Sequence, residues 1–129
     1  MVPDDLKYSK THEWARLAAG DVVTMGITDF AVQQLGDIVF LELPKVGART
    51  KQGSPLGVIE SVKAAVDLYA PVTGEVVEVN SSLTDDFDAL GKDPYGKGWM
   101  VKIKSSSSAL AGLMTPGEYQ KHVEQETKH

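Results

Sequence analysis

GVIESVKAAVDLYAPVTGEVVEVN, residues 57–80, consists mainly of apolar, β-branched runs on either side of one lysine. Two apolar segments within and beside it, LGVIES (56–61) and VDLYAP (66–71), have the β-branched composition of paired strands. The residue between them is Lys63, and its neighbours are small or apolar. The pattern predicts a β-hairpin whose tip presents one long cationic side chain, where Gly, Asn or Asp would be usual.

Alternating apolar residues predict further short strands on both sides of this hairpin. DVVTMGIT (21–28) is one of them, and DIVFLELP (37–44) is another, with Val39 on its buried side. In WMVKIK (99–104) the alternation turns Met100 outward together with the lysines. Short strands of this kind, separated by regular turn signals, favour an all-β protein.

Helices are predicted only at the periphery. Thr28 or Asp29 can cap a short helix that ends at Gly36. TPGE (115–118) forms a capping box with proline at the first helical position of a C-terminal helix. The expected architecture is therefore a β-barrel or β-sandwich with accessory helices.

A chain of 129 residues is long enough for one domain with a modest core. We expect a single domain over 1–129, with a core of about 8–104 and a C-terminal helical segment, 105–129. The N-terminus has no apolar signal core, and no apolar run has the length of a membrane span. These features predict a bacterial-type cytoplasmic protein, with a processed organellar protein as the alternative.

Charge and composition exclude several functional classes. A net charge of −5 offers no basic surface to release counterions from nucleic acid and no attraction to anionic membranes. Cysteine is absent, so disulfides and thiolate chemistry are excluded. No phosphate-binding loop or nucleophile elbow is present, so no catalytic residue is predicted.

Metal-binding patterns are also missing from the sequence. The histidines, His12, His122 and His129, lie far apart and show no ligand spacing, so no metal site is predicted. The acidic cluster TDDFD (84–88) lacks EF-hand spacing and is interpreted as a solvated loop. Lys63 therefore carries most of the functional argument. An ordinary exposed lysine is the alternative, but an isolated lysine on a rigid tip suits modification by a second enzyme.

Four segments together resemble the H protein of the glycine cleavage system, a family of lipoyl carrier proteins. They are YSKTHEW (8–14), MGITDFAVQQLGDIVFLELPKVG (25–47), ESVKAAVDLYAPVTGEVVEVN (60–80) and DPYGKGWMVKIK (93–104). ESVKA resembles the lipoylation site, and the family's flanking glutamate and glycines correspond to Glu60, Gly47 and Gly74. The resemblance implies a lipoyl-domain-like flattened β-barrel/sandwich hybrid with short peripheral helices and a C-terminal helix.

The resemblance also implies a carrier and not an enzyme. Lipoate would be amide-linked to Lys63, and the arm would carry the aminomethyl group of glycine. The implied partners are a pyridoxal-phosphate glycine decarboxylase, a tetrahydrofolate-dependent aminomethyltransferase and a flavin-containing dihydrolipoyl dehydrogenase. A lipoate-attaching enzyme would recognise the tip with the help of Glu60, while Gly47 and Gly74 would shape its turns. A monomer is expected.

A carrier that protects the aminomethyl group from water needs a cleft with a carboxylate for the ammonium. By resemblance, the residues expected to contact the arm are Glu13, the hydroxyl of Thr11 and Asp67. For each of them, an ordinary surface acid or hydroxyl is the alternative interpretation.

Three other functions remain open at this point. A biotinyl domain would have the same fold, but methionines usually flank its lysine, whereas Val62 and Ala64 do so here. An H-like relay that donates lipoate to other complexes would need Lys63 equally. A non-carrier interaction module would need no modification of the lysine at all.

Overall fold

The computed structural model describes residues 3–106 and 108–127, and within them the chain forms nine strands. Their bounds are β1 (Lys7–Tyr8), β2 (Glu13–Ala18), β3 (Val22–Ile27), β4 (Ile38–Glu42), β5 (Arg49–Thr50), β6 (Pro55–Ser61), β7 (Ala65–Tyr69), β8 (Gly74–Val79) and β9 (Val101–Lys104). One sheet has the order β1-β2-β3-β9-β8-β5, and the other has the order β4-β6-β7. All paired strands are antiparallel.

Short helices connect these strands at the periphery. They are α1 (Asp29–Leu35), α2 (Asp88–Lys92) and α3 (Pro116–Thr127), with 3-10 turns at Ala19–Asp21, Ser81–Asp85 and Ala109–Gly112. In the described part of the chain, none of the helices has the length and apolar character needed to cross a lipid bilayer. The structure does not describe residues 1–2, 107 and 128–129. They include both ends of the predicted domain, one residue of the serine run and His129.

The prediction of an all-β flattened sandwich with peripheral helices is confirmed. Within the described residues, the two sheets face each other without closing into a barrel. Apolar side chains from both sheets fill the space between them, including Val23, Met25, Ile59, Leu68 and Ile103, each at most 1% exposed. Burying an aliphatic side chain of this size stabilises the fold by about 1.5–3 kcal/mol, so this layer holds the sheets together.

A second, smaller cluster attaches α3 to the six-stranded sheet. It contains Leu6, Tyr8, Trp14 and Tyr119, all fully buried or nearly so. The rings of Tyr8 and Tyr119 stack with their centroids 4.6 Å apart. This contact fixes the C-terminal helix against β1, which places its last turn near the start of β2.

The predicted helix caps are present. Thr28 is the N-cap of α1, and its hydroxyl accepts a hydrogen bond from the Ala31 N–H at 3.3 Å. At the start of α3, Thr115 and Glu118 exchange the two hydrogen bonds of a capping box. Local sequence signals therefore position both helices correctly.

The alternation rule gave the wrong face at two strands. Val39 is 53% exposed instead of buried, because the register of β4 against β6 shifts between Ile38 and Phe40. Met100 is fully buried instead of exposed, because it precedes β9 and its N–H donates to the Met25 carbonyl at 2.8 Å. The segment LTDDFDALGKDPYGKG (83–98), whose Pro and Gly breaks near its end predict an irregular chain, contains the short helix α2.

Candidate functional site: a lysine tip beside a cleft

The tip of the β6–β7 hairpin is ordered by one serine side chain. The Ser61 N–H donates to the Ala64 carbonyl at 2.7 Å. The Ser61 hydroxyl accepts hydrogen bonds from the backbone N–H groups of Lys63 and Ala64, at 3.3 and 3.2 Å. No described residue of the tip has a positive φ. The serine hydroxyl thus replaces the Gly or Asn that a tight turn normally requires.

The side chain of Lys63 extends from this tip over the end of α1. It is exposed, and a Cβ built on Gly36 would lie 3.9 Å from the Lys63 Cε. The Val62 N–H donates to the Asp37 carbonyl at 3.0 Å, which ties the tip to the link between α1 and β4. In the part of the chain that the structure describes, Lys63 forms no ion pair. Its amine is therefore presented to solvent on a fixed support.

A cleft of about 670 Å³ lies beside the hairpin. Its walls come from α1, from β6 and β7, from the chain leading into β2 and from the last turn of α3. Apolar side chains dominate the lining, among them Leu35, Ile59 and Val66, and its acids include Glu13 and Asp67. β7 runs along it from the tip to Glu13, and its length from Ala65 to Tyr69 is about 13 Å.

Glu13 lies at the far end of this cleft and is only 1% exposed. Its Oε1 accepts hydrogen bonds from the hydroxyls of Ser9, at 2.6 Å, and Thr11, and its Oε2 accepts one from the Tyr69 N–H at 3.1 Å. Burial raises the pKa of Glu13 above its ordinary value, and these three hydrogen bonds oppose the rise. Among the described residues, this buried carboxyl group accepts side-chain and backbone hydrogen bonds from neutral donors only.

The turn before β2 aims this carboxylate inward. His12 has a φ of 73°, in the left-handed region where histidine is more common than most residues. The His12 N–H donates to the Ser9 carbonyl and the Ser9 N–H to the Glu13 carbonyl, so the turn is closed on itself. Ser9 was not predicted as a site residue. Its position four residues before the glutamate, with Thr11 between them, is a signal that could have indicated it.

The predicted arm-contacting residues come together in the structure, and the predicted tip residues do not. Thr11, Glu13 and Asp67 all line the one cleft, and of the three only Glu13 is buried. Glu60 lies on β6 opposite Phe40 and Ala65, close to the tip and half-buried. Gly47 and Gly74, by contrast, lie outside the lining of the cleft and in other elements.

Glycine is required at positions 47 and 74 for different structural reasons. Gly47 has a φ of 93° in a turn, and its N–H donates to the Val76 carbonyl at 2.8 Å. Gly74 begins β8, where an added Cβ would lie 2.1 Å from the Lys104 carbonyl oxygen of β9. Gly47 therefore serves a turn, and Gly74 allows two strands to approach closely.

The fold also brings together two histidines that are far apart in the sequence. His12 and His122 lie with Glu126 so that one ligand atom from each falls within 4.8 Å of the others. Burial lowers the pKa of His12, and the neighbouring Glu126 opposes this change. His122 and Glu126 are four residues apart and therefore share one face of α3. This spacing is the sequence signal that could have indicated the cluster.

The fold and site together define a class of protein. A cysteine-free β-sandwich presents one lysine on a rigid hairpin tip, next to a cleft that ends at a buried carboxylate. No nucleophile and base pair is formed at the tip by the described residues. This is the arrangement of a carrier protein whose lysine receives a prosthetic arm.

Comparison with known proteins assigns the family. A family model described as "Glycine cleavage H-protein" matches residues 6–126. The glycine cleavage system H proteins of Rubrobacter xylanophilus and Carboxydothermus hydrogenoformans are 50% and 53% identical, over 97% and 98% of this chain and 97% of each relative. A crystal structure of a glycine cleavage system H protein from Mycobacterium marinum superposes with a TM-score of 0.84 at 38% identity, covering 97% of this chain and 98% of that one.

The chain belongs to the glycine cleavage H-protein family. The resemblance of the four sequence segments to this family is thereby confirmed. The biotinyl-domain alternative is excluded, because the matched family carries lipoate on its lysine.

Proposed function

We propose that this chain is the lipoyl-bearing shuttle of a glycine cleavage system. Lipoate is joined by an amide bond to Lys63, and the arm carries the aminomethyl group of glycine between enzymes. The observation that carries the proposal is the exposed lysine on a hairpin tip in a chain that matches the family from residue 6 to 126. Three partner enzymes act in turn: a pyridoxal-phosphate decarboxylase, a tetrahydrofolate-dependent aminomethyltransferase and a flavin-containing dihydrolipoyl dehydrogenase.

The residues around Lys63 fit a lipoyl group. The Lys63 amine has no ion pair with the described residues, so no protein contact has to break before an amide forms. The adjacent cleft, about 670 Å³ in volume, has the apolar lining that an aliphatic arm requires. When bound, lipoate supplies the disulfide that is reduced as the aminomethyl group is taken up, which a chain without cysteine cannot supply itself.

Glu13 is the residue best placed to protect the cargo. Its Oε2 accepts one hydrogen bond from Tyr69, which leaves room for a further donor at that oxygen. A carboxylate held only by neutral groups in a desolvated cleft attracts an ammonium ion more strongly than one in water. We assign to Glu13 the pairing with the aminomethyl ammonium, with Thr11 orienting Oε1 and Asp67 at the open side of the cleft.

Glu60 and the tip serve recognition by the lipoate-attaching enzyme. The half-buried Glu60 lies three residues before Lys63 and directly opposite Ala65, so the two strands meet at the base of the tip formed by residues 61–64. Gly47 and Gly74 support the sheets behind the tip. The chain contributes binding, positioning and exclusion of water, and the catalytic groups belong to its partners. We also propose that the carrier works as a monomer in the bacterial cytoplasm; the relatives named above are bacterial proteins.

The first experiment tests the attachment site. The protein is incubated with lipoate, ATP and a lipoate ligase, and its intact mass is measured beside Lys63→Arg and Lys97→Arg. We expect one lipoyl group on the parent and on Lys97→Arg, and none on Lys63→Arg. Addition to Lys63→Arg, or no addition to the parent, would refute the carrier function.

The second experiment separates the shuttle from a lipoate relay. Lipoylated protein is mixed with glycine, the decarboxylase and the aminomethyltransferase, and in parallel with a lipoyltransferase and the unlipoylated domain of a 2-oxoacid dehydrogenase. A shuttle supports glycine decarboxylation at rates limited by the decarboxylase. Transfer of lipoate without glycine decarboxylation would instead establish the relay function.

The role of Glu13 is tested with Glu13→Gln, which keeps the shape of the side chain and removes its charge. The amide oxygen can still accept from Tyr69, and the amide N–H₂ can donate to the hydroxyls of Ser9 and Thr11. We expect normal lipoylation but faster loss of the aminomethyl group to water. Asp67→Asn is the matched control with a smaller effect, and an unchanged rate of loss in Glu13→Gln would rule the pairing out.

A further inference from the structure

Three potential metal ligands meet where α3 reaches the turn before β2. His122 and Glu126 are one helical turn apart on α3, and His12 comes from the turn. The His12 Nε2 lies 2.8 Å from Glu126 Oε2, and the His122 Nε2 lies 3.1 Å from Glu126 Oε1. The two imidazoles thus approach the two oxygens of one carboxylate, with their ring centroids 5.5 Å apart.

This donor set and its dimensions suit a divalent transition metal. Imidazole nitrogen and carboxylate oxygen are common ligands of Zn²⁺, at about 2.0–2.2 Å from the ion. Ligand atoms in a tetrahedral site then lie roughly 3.3 Å apart. The two histidine–Glu126 distances, 2.8 and 3.1 Å, are a few tenths of an ångström shorter than this, and all three ligand atoms lie within 4.8 Å of one another. Closing around an ion therefore needs small movements of the two rings and of the Glu126 side chain, which is 41% exposed.

Neighbouring groups already orient one of the histidines. The His12 Nδ1 lies 2.8 Å from the hydroxyl of Tyr119, which is fully buried and lies 2.7 Å from the Thr28 hydroxyl. With an ion bound at Nε2, the His12 Nδ1–H would donate to the Tyr119 hydroxyl, so that the Nε2 lone pair faces the ion. Buried partners of this kind fix the tautomer and ring orientation of metal-binding histidines.

We propose that His12, His122 and Glu126 bind one divalent ion of the Zn²⁺ class, with a further coordination position open to the cleft. The ion replaces the proton on the Nε2 of each histidine. In the metal-free protein both Nε2 atoms face Glu126, and the His122 Nε2 also lies 2.9 Å from the Lys10 carbonyl. Three protein ligands and one open position make a site that can accept water or a small ligand. The opening faces the cleft because His12, Glu126 and Lys10 are part of its wall.

The bound ion would also clamp the fold. His12 is 110 residues before His122 in the chain, so coordination ties the last helix to the turn that aims Glu13 into the cleft. An ion that binds the folded state and not the unfolded one raises the melting temperature as its concentration rises above Kd. This effect is independent of lipoylation and can be measured on the unmodified protein.

The test is calorimetric titration of Zn²⁺ into unmodified, tag-free protein, with parallel thermal unfolding. We expect one ion per chain with a Kd in the micromolar range and a higher Tm with Zn²⁺ present. His122→Ala and Glu126→Gln should each weaken binding at least tenfold. Glu124→Gln, which changes an exposed acid on the same helix, should leave the affinity unchanged.

Two results would overturn the proposal. One is the absence of saturable binding up to millimolar Zn²⁺ in the parent protein. The other is parental affinity in both His122→Ala and Glu126→Gln, because the ion would then be held elsewhere. Two variants are used so that a folding defect in one of them, visible in its Tm without metal, does not decide the outcome.

Discussion

The hydroxyl of Ser61 controls the order of the lysine tip, and Ser61→Ala measures how much. The hydroxyl accepts from the N–H groups of Lys63 and Ala64 at 3.3 and 3.2 Å, and both residues are exposed. Bonds of this length are at the weak end of the range, about 0.5 kcal/mol each, since the freed N–H groups can turn to water. Losing both costs about 1 kcal/mol, which corresponds to a factor of ~5 in an equilibrium constant.

Amide hydrogen exchange measured by NMR is the direct assay of this change. In Ser61→Ala, we expect the Lys63 and Ala64 amides to exchange about fivefold faster at the tip. The kcat/KM of lipoyl attachment should fall by at most this factor, because the ligase acts on the ordered fraction, which changes less than the equilibrium constant while the tip is mostly ordered. Ser61→Thr keeps the hydroxyl and should restore both values.

Two outcomes would contradict this reasoning in different ways. Unchanged exchange at Ala64 in Ser61→Ala would mean that the backbone alone orders the tip. Faster exchange with an unchanged kcat/KM would mean that the order of the tip does not limit attachment by the ligase. Ser82→Ala, a change in an exposed serine of another turn, controls for general effects on stability.

Three further predictions concern stability. Gly74→Ala places a Cβ against the Lys104 carbonyl of β9, so we expect the free energy of unfolding to fall by about 2–3 kcal/mol and the Tm by roughly 6–15 °C. The control is Gly117→Ala, which has open space at its Cβ and should be neutral or stabilising. Equal Tm values for the two variants would contradict the close approach of the strands. Tyr119→Phe keeps the stacking on Tyr8 but removes the hydroxyl that hydrogen-bonds to the Thr28 hydroxyl and to the His12 Nδ1, so thermal unfolding should show a loss of about 1–2 kcal/mol, and an unchanged Tm would argue against this network. The Glu118 carboxylate accepts a hydrogen bond from the Thr115 N–H, which lowers the pKa of Glu118 below its ordinary value of 4.5. The contribution of this hydrogen bond to folding stability is therefore present above pH 4.5 and is lost as the pH falls through the lowered pKa. The parent should lose stability relative to Glu118→Gln in that acidic range, and parallel pH profiles of the two proteins would refute the cap.

Local sequence signals determined the elements and the principal site residue. The composition around Lys63 predicted the hairpin and its tip, Thr28 predicted the start of α1, and TPGE (115–118) predicted the cap of α3. Each of these signals acts between residues at most four apart, so it can be interpreted before the chain is folded. The family resemblance added the lipoyl carrier function, because its motifs occur at fixed spacings along the chain.

Only the tertiary structure decided which faces are buried and which distant residues meet. The faces of Val39 and Met100 depend on a register shift and on a hydrogen bond to another strand, neither of which alternation along one strand can encode. The burial of Glu13 depends on the Tyr69 N–H, 56 residues away along the chain. His12 meets His122 only because α3 packs on β1. Contacts of this kind arise when separate elements pack together, so the spacing of residues in the sequence could not have predicted them.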